Sequence, residues 1–266
     1  MIEINGAALE TRWWGPPPSE APTLLLLHEG LGSVGLWRGF PAALADATGC
    51  GVVAYSRAGY GRSGSITLPR PLTYMHDEAR KVLPELITKL QLQRFILVGH
   101  SDGGSIATIY AGSRQDFRLQ GLVLIAPHFF VEDIGLHAIA AAKTAYDTGD
   151  LRTRLARHHD DVDAAFRGWN DAWLDPRFKT DFDLTSEIAH IRVPVLVVQS
   201  DGDPYGTMRQ AETIAEDAYC PVEVLAVAGA SHAPHLDAAD VTLPRIAAFI
   251  RHLLRPATTP SKPPMT

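Results

Sequence analysis

One serine in this chain stands where nucleophilic chemistry is expected. The unbroken apolar run Phe95 to Val98 (FILV) leads straight into Gly99-His100-Ser101-Asp102-Gly103-Gly104, and the small-residue segment SIATIYAG follows in a helical pattern. A G-x-S-x-G between strand and helix puts the serine on a sharp turn, with its hydroxyl exposed where the strand ends. The glycines two residues either side remove Cβ atoms that would obstruct the turn. The helix start leaves the Asp102 N–H without an intrahelical acceptor, near a positive dipole end, so it is a candidate oxyanion donor.

A serine hydroxyl needs a base, and the base needs an acid to hold its tautomer. The run VLVVQ ends in Ser200-Asp201-Gly202-Asp203-Pro204-Tyr205, and VEVLAV leads to Ala228-Gly229-Ala230-Ser231-His232. Both segments follow strand C-termini, on the edge where Ser101 is expected and where reacting groups gather in parallel sheets. Residue types leave both Asp201 and Asp203 open as the acid, since Asp-Gly and Asp-Pro are also turn formers. His232 is the candidate base, with His235 as its rival. His158 and His159 fall in a helical stretch and read as solvated.

A second oxyanion donor is expected from the loop His28-Glu29-Gly30-Leu31-Gly32-Ser33 after TLLLL, where Gly30 offers a bare backbone N–H. The loop matches neither glycine-rich phosphate pattern. Glu29 is the odd residue there. Two unit charges about 4 Å apart repel by roughly 4 kcal/mol at an effective dielectric near 20. That is nearly three decades in rate at about 1.4 kcal/mol per decade, so Glu29 is not expected to face the oxyanion as a free anion. Glu29 either turns away and pairs with a cation such as Arg57 or Arg62, or is buried and protonated, able to donate to a substrate oxygen; the inward, hydrogen-bonded case is the expectation.

Buried strands must carry these groups. Thr23 to Leu27, Gly51 to Tyr55, Phe95 to Val98, Leu122 to Ile125 and Val195 to Val198 are continuous apolar runs, as strands covered on both faces must be. Val222 to Val227 is more polar and reads as nearer an edge. Ile2 to Trp14 reads as a hairpin turning at Asn5-Gly6. Between the strands lie helices, the clearest over about Tyr74 to Leu90, with Pro84 expected to kink it or mark a second start. The fold class is therefore α/β, a mostly parallel twisted sheet with helices on both faces. Residues 129–191 break the rhythm with helical patterns alone, and read as a cap inserted between core segments 1–128 and 192–256. Phe129, Phe130, Trp169 and Trp173 of that insertion are expected to line an apolar pocket. The Pro- and Thr-rich stretch 257–266 reads as a disordered tail.

The chain has 266 residues, a formal net charge of -6, 46% hydrophobic and 20% charged residues, enough for one well-packed core. Nothing basic invites nucleic acid or an anionic membrane surface. The longest aliphatic run, Leu24 to Leu27, is too short to span a bilayer, and the N-terminus lacks a signal-peptide pattern. A cytoplasmic protein with free Cys50 and Cys220 is the default, and neither cysteine belongs to a metal-ligand pattern. Nothing in the sequence sets the oligomeric state.

From TLLLLHEG to RIAAFIRHLL the chain resembles the α/β-hydrolase fold family, in the branch of capped esterases, enol-lactonases and carbon–carbon hydrolases. Four landmarks carry the resemblance in order: HEGLG with Trp37 downstream, the segment Ser56 to Ser63 (SRAGYGRS), Gly99 to Gly104, and the pair Asp203 and His232. The family often reads G-x-x-D-x-Y at the acid, which aligns its aspartate with Asp203. Glu29, Ser56 and Asp102 depart from the family's usual glycine, aspartate and large apolar residue. The resemblance implies hydrolysis of a small ester or lactone without cofactor or metal. Ser101, Asp203 and His232 are then expected to be the triad, with Gly30 and Asp102 as the expected oxyanion hole and Glu29 and His100 expected to join the aromatics at the substrate. A carbon–carbon hydrolase uses the same triad, a lyase or haloperoxidase-like activity is a lesser alternative, and a small-molecule receptor on this scaffold is the non-enzymatic one.

Overall fold

The computed structural model describes residues 1–255, so the tail at 257–266 lies outside the described residues. The strands are β1 (Ile2–Ile4), β2 (Ala7–Leu9), β3 (Thr11–Trp14), β4 (Thr23–Leu27), β5 (Gly51–Tyr55), β6 (Phe95–His100), β7 (Leu119–Ile125), β8 (Val195–Ser200) and β9 (Val222–Val227). Seven of them form one sheet in the order β3-β5-β4-β6-β7-β8-β9. Only β3 runs antiparallel, at one edge against β5; β9 closes the other edge. β1 and β2 make a separate hairpin in which Ile4 pairs with Ala7, so Asn5-Gly6 is its two-residue turn. Both turn residues have positive φ, 50° and 78°, as the tight hairpin turn of this hand requires.

The unbroken apolar runs are explained by two cores. In β4, Leu25 and Leu27 face one layer, while Leu24 and Leu26 face the other. The same alternation sends Leu97 and Leu124 to the first layer and Val98 and Val123 to the second. Helices Phe40–Thr48 and Ala239–Leu254 cover the second layer. Helices Leu83–Lys89 and Asp102–Ser113 cover the first. The single helix expected over Tyr74 to Leu90 is split: Tyr74–Asp77 passes through a π-helical turn at Glu78–Val82 into Leu83–Lys89. Pro84 has no N–H to donate into the preceding turn and so stands in the first turn of the second helix.

Between β7 and β8 the chain forms five helices, Asp133–Thr148, Leu151–Leu155, Val162–Leu174, Pro176–Asp181 and Thr185–His190, plus one isolated bridge between Phe130 and Asp183. No helix among the described residues is long and apolar enough to cross a membrane.

Candidate active site

Ser101 sits at the β6–helix junction with φ 52° and ψ -118°, a conformation that non-glycine residues seldom adopt. Its neighbours hold it there. The Ser101 N–H donates to the Ile125 carbonyl at 2.9 Å, and its own carbonyl accepts from the N–H groups of Gly104 and Ser105 at 2.7 and 3.1 Å. The glycines are steric necessities. A Cβ on Gly99 would lie 2.2 Å from the Gly103 oxygen, and one on Gly103 would lie 1.9 Å from the Leu27 oxygen. Strain concentrated in one over-determined residue is what exposes a side chain at a sheet edge.

Beyond β8 and β9 two loops bring Asp203 to His232. His232 Nδ1 lies 2.9 and 2.8 Å from the two carboxylate oxygens. A carboxylate only accepts, so Nδ1 carries a proton, which leaves Nε2 as the basic atom of the neutral ring. The Tyr205 N–H donates to Asp203 Oδ1 at 2.8 Å, and Gln199 Nε2 donates to Oδ2 at 3.1 Å. Burial alone would raise the Asp203 carboxyl, but its bonds from His232 and Tyr205 outweigh that and hold it below the usual carboxylate range. Asp201 is exposed and accepts instead from the Gly229 N–H at 2.7 Å, bracing the turn that precedes His232. His235 is 2% exposed and packs against Trp37, Phe40 and His100, away from the cavity described below.

The loop after β4 is fixed from three sides. His28 Nδ1 donates to the Glu29 carbonyl at 2.7 Å and its Nε2 accepts from the Arg57 N–H at 3.0 Å, which defines a neutral ring. Arg57 also donates to the carbonyls of His28 and Glu29 at 2.5 and 3.0 Å. From the helical insertion, His159 Nε2 donates to the Leu31 carbonyl at 3.0 Å while Nδ1 accepts from the Gly61 N–H at 3.0 Å. His159 is thus buried between two loops rather than solvated as its helical setting suggested. Gly30 is required by contact: a Cβ there would lie 2.2 Å from Trp169 Nε1. Gly30→Ala is therefore expected to push the loop off Trp169 and lower kcat/KM by about a hundredfold, the cost of misplacing an expected oxyanion donor by about 1 Å. Adding Trp169→Ala should restore part of the loss, because the two changes share one contact. Unchanged kinetics for Gly30→Ala would show that the loop does not position a reacting group.

Glu29 turns inward, and its partner is neither Arg57 nor Arg62. Arg57 holds only its main-chain carbonyl, and Arg62 pairs with Asp160. The carboxylate Oε2 lies 3.5 Å from His100 Nδ1. His100 Nε2 meets the His232 carbonyl at 2.8 Å and must donate to it, so His100 bridges the oxyanion-side loop and the loop that carries His232. Burial pushes the Glu29 carboxyl up, but the contacts with His100 prevail and hold it well below the usual range.

A cavity of about 130 Å³ opens over Ser101, lined by Glu29, Gly30 and Leu31, by His128, Tyr205 and His232, and by Ile139, Trp169 and Trp173 of the insertion. Among the described residues no cluster of three or more His, Cys, Asp or Glu side chains is arranged to hold a metal ion.

The family model for the alpha/beta hydrolase family matches residues 24–244. The chain belongs to the α/β-hydrolase family. Among curated proteins it is similar to the putative carbamate hydrolase RutD of Agrobacterium fabrum, 27% identical over 261 residues, covering 89% of this chain and 95% of that protein. It is 25% identical over 237 residues to the proline iminopeptidase of Lactobacillus helveticus, covering 74% of this chain and 80% of that one. Among solved structures, the enol-lactonase of Burkholderia xenovorans superposes with a TM-score of 0.72 at 22% identity, covering 93% of this chain and 98% of that one. An esterase from Exiguobacterium antarcticum reaches 0.74 at 18% identity, covering 94% and 97%.

Within this α/β-hydrolase, not every side chain expected at the substrate reaches the cavity. Phe129 and Phe130 are corrections. Phe129 is fully buried, its N–H held by Gln210 Oε1 at 2.8 Å and its carbonyl by the Leu184 N–H at 2.8 Å, so its ring enters the core. Phe130 pairs with Asp183 and packs at that core's margin. His100 stands behind the cavity wall, between Glu29 and the His232 backbone. The Asp102 side chain points away as well, accepting from Tyr74 Oη at 2.5 Å and Trp173 Nε1 at 3.3 Å, with Arg57 3.6 Å off. Asp102 thus ties the helix behind Ser101 to the insertion. His128 and Tyr205 were not singled out as pocket residues. The signal for His128 was its place three residues beyond β7, on the edge that carries Ser101.

Proposed function

We propose that the protein is a serine hydrolase of small carboxylic esters or lactones, working through an acyl-enzyme. The observation that carries this reading is the Asp203–His232 pair facing the same small cavity as the strained Ser101. With Nδ1 committed to Asp203, His232 Nε2 is the atom available to take the Ser101 proton. Ser101 Oγ attacks the carbonyl, and the oxyanion is held by the N–H groups of Asp102 and Gly30. His232 gives its proton to the departing alkoxide, then takes one from the water that attacks the acyl-enzyme. The helical segment 129–191 acts as the cap, closing the cavity with Ile139, Trp169 and Trp173 and leaving room only for a compact acyl group. The similarity to a protein named as a carbamate hydrolase supports an acyl carbonyl as the point of attack.

The test is labelling together with turnover. A fluorophosphonate should modify Ser101 stoichiometrically, and p-nitrophenyl acetate should be hydrolysed at a rate that falls as label is incorporated. Modification of a different serine, or turnover untouched by full labelling, would refute the reading.

A further inference from the structure

Besides Ser101, His232 and the Glu29 carboxylate, three side chains with polar atoms line the cavity, His128, Trp169 and Tyr205, and among the described residues their ring and hydroxyl groups make no hydrogen bond; only the His128 carbonyl and the Tyr205 N–H are bonded. Each neighbour of the same kind is satisfied. Trp173 Nε1 donates to Tyr74 Oη at 3.0 Å, so it shows the cavity only carbon. His159 and His28 use both ring nitrogens. None of these polar atoms is fully enclosed, so they stay open to the polar atoms of a ligand in the cavity.

His128 is delivered there at some cost. Ala126, two residues before it, has φ 45°, and the chain is pinned by Ser105 Oγ donating to the His128 carbonyl at 2.5 Å. The ring is 5% exposed, stacks on His232 with centroids 5.6 Å apart, and meets Trp173 in a T-shaped contact with centroids 5.2 Å apart. Burial, reinforced by the neighbouring His232, pushes its pKa down to about 3. It therefore stays neutral while His232 gains and loses a proton, presenting one N–H and one lone pair. Tyr205 also packs against His232, centroids 4.6 Å apart, and burial beside Asp203 keeps its phenol neutral. Trp169 adds a donor-only N–H beside Gly30. No lysine or arginine lines the cavity, and Glu29 does.

We propose that His128, Tyr205 and Trp169 form a second polar subsite that takes a neutral oxygen of the substrate, a hydroxyl or a keto group, separate from the scissile carbonyl. This rests on the hydrolase reading and narrows it to compact oxygenated esters or lactones. A carboxylate in the same place would meet Glu29 with no cation to offset it, so acidic substrates are rejected.

The experiment compares kcat/KM for ethyl propanoate, ethyl 2-hydroxypropanoate and the monoethyl ester of malonic acid. Each value is divided by the rate of the same ester with hydroxide, which removes substituent effects on intrinsic reactivity. The hydroxy ester should exceed the plain ester by about three- to tenfold, the range of a neutral hydrogen bond gained, and the acidic ester should fall below both. Tyr205→Phe, which deletes one oxygen and keeps the ring, and His128→Leu should each move the hydroxy-to-plain ratio toward one. An equal loss on both esters would mean a structural role and would overturn the subsite. So would a wild-type ratio near one, preference for the acidic ester, or no turnover of the hydroxy ester by unlabelled protein from a preparation whose Ser101 proves reactive to fluorophosphonate in a separate sample. Absence of both labelling and turnover would instead remove the hydrolase reading, and the subsite with it.

Discussion

Ser101→Ala is expected to lower kcat for ester hydrolysis by five to six orders of magnitude while leaving the fold intact. One oxygen is lost from a side chain that is 6% exposed and carries none of the bonds that hold the turn, since those run through the Ser101 backbone. Alanine meets the same positive φ as serine, so the strain is unchanged. What remains is the oxyanion hole and the positioned His232, which without a nucleophile retain on the order of 10³ to 10⁴ over water. Thermal unfolding should shift by no more than a few degrees, and the far-ultraviolet spectrum should not change. Retention of more than about a tenth of the wild-type kcat, in protein free of host esterase, would show that another group attacks.

The sheet was legible because its strands are buried on both faces. Such a run has to be apolar at every position, and the alternating sides of Leu24 to Leu27 show why. The chemistry at strand ends was legible for a related reason. A serine between glycines, and a histidine and aspartates just past apolar runs, occupy the one edge that a parallel sheet devotes to reaction. The cavity walls were less so. Phe129 and Phe130 looked like pocket aromatics because they open the insertion. Their backbone, however, belongs to a small bridge with Asp183 and Leu184, which fixes where the rings point. His159 carried no mark of its place between Leu31 and Gly61, loops more than ninety residues away in the chain. The His100–Glu29 contact joins the nucleophile turn to the oxyanion loop, and no local pattern announces it. In each case the deciding partner is distant in sequence; for the phenylalanines and His159 it bonds through its backbone, so residue type carries no record of it.

The two aspartates that sequence left open can be separated by one pair of substitutions. Asp203→Asn is expected to cost about 10⁴ in kcat at neutral pH, through the tautomer of His232 rather than its position. The asparagine oxygen is drawn to the Oδ1 site, where the Tyr205 N–H donates at 2.8 Å. Its NH₂ then takes the Oδ2 site, 2.8 Å from His232 Nδ1 and 3.1 Å from Gln199 Nε2. There Nδ1 has to accept, which moves the proton to Nε2 and removes the lone pair that Ser101 needs. Turning the amide over restores the tautomer but leaves the Tyr205 N–H facing an NH₂, so neither orientation is satisfied. Asp201→Asn keeps an acceptor for the Gly229 N–H at an exposed site, and its effect should stay within about 0.5 kcal/mol, roughly twofold in rate. Steady-state kinetics of both variants, with fluorophosphonate labelling rates as a second reading of Ser101 nucleophilicity, decide the matter. A larger loss for Asp201→Asn than for Asp203→Asn would reassign the acid.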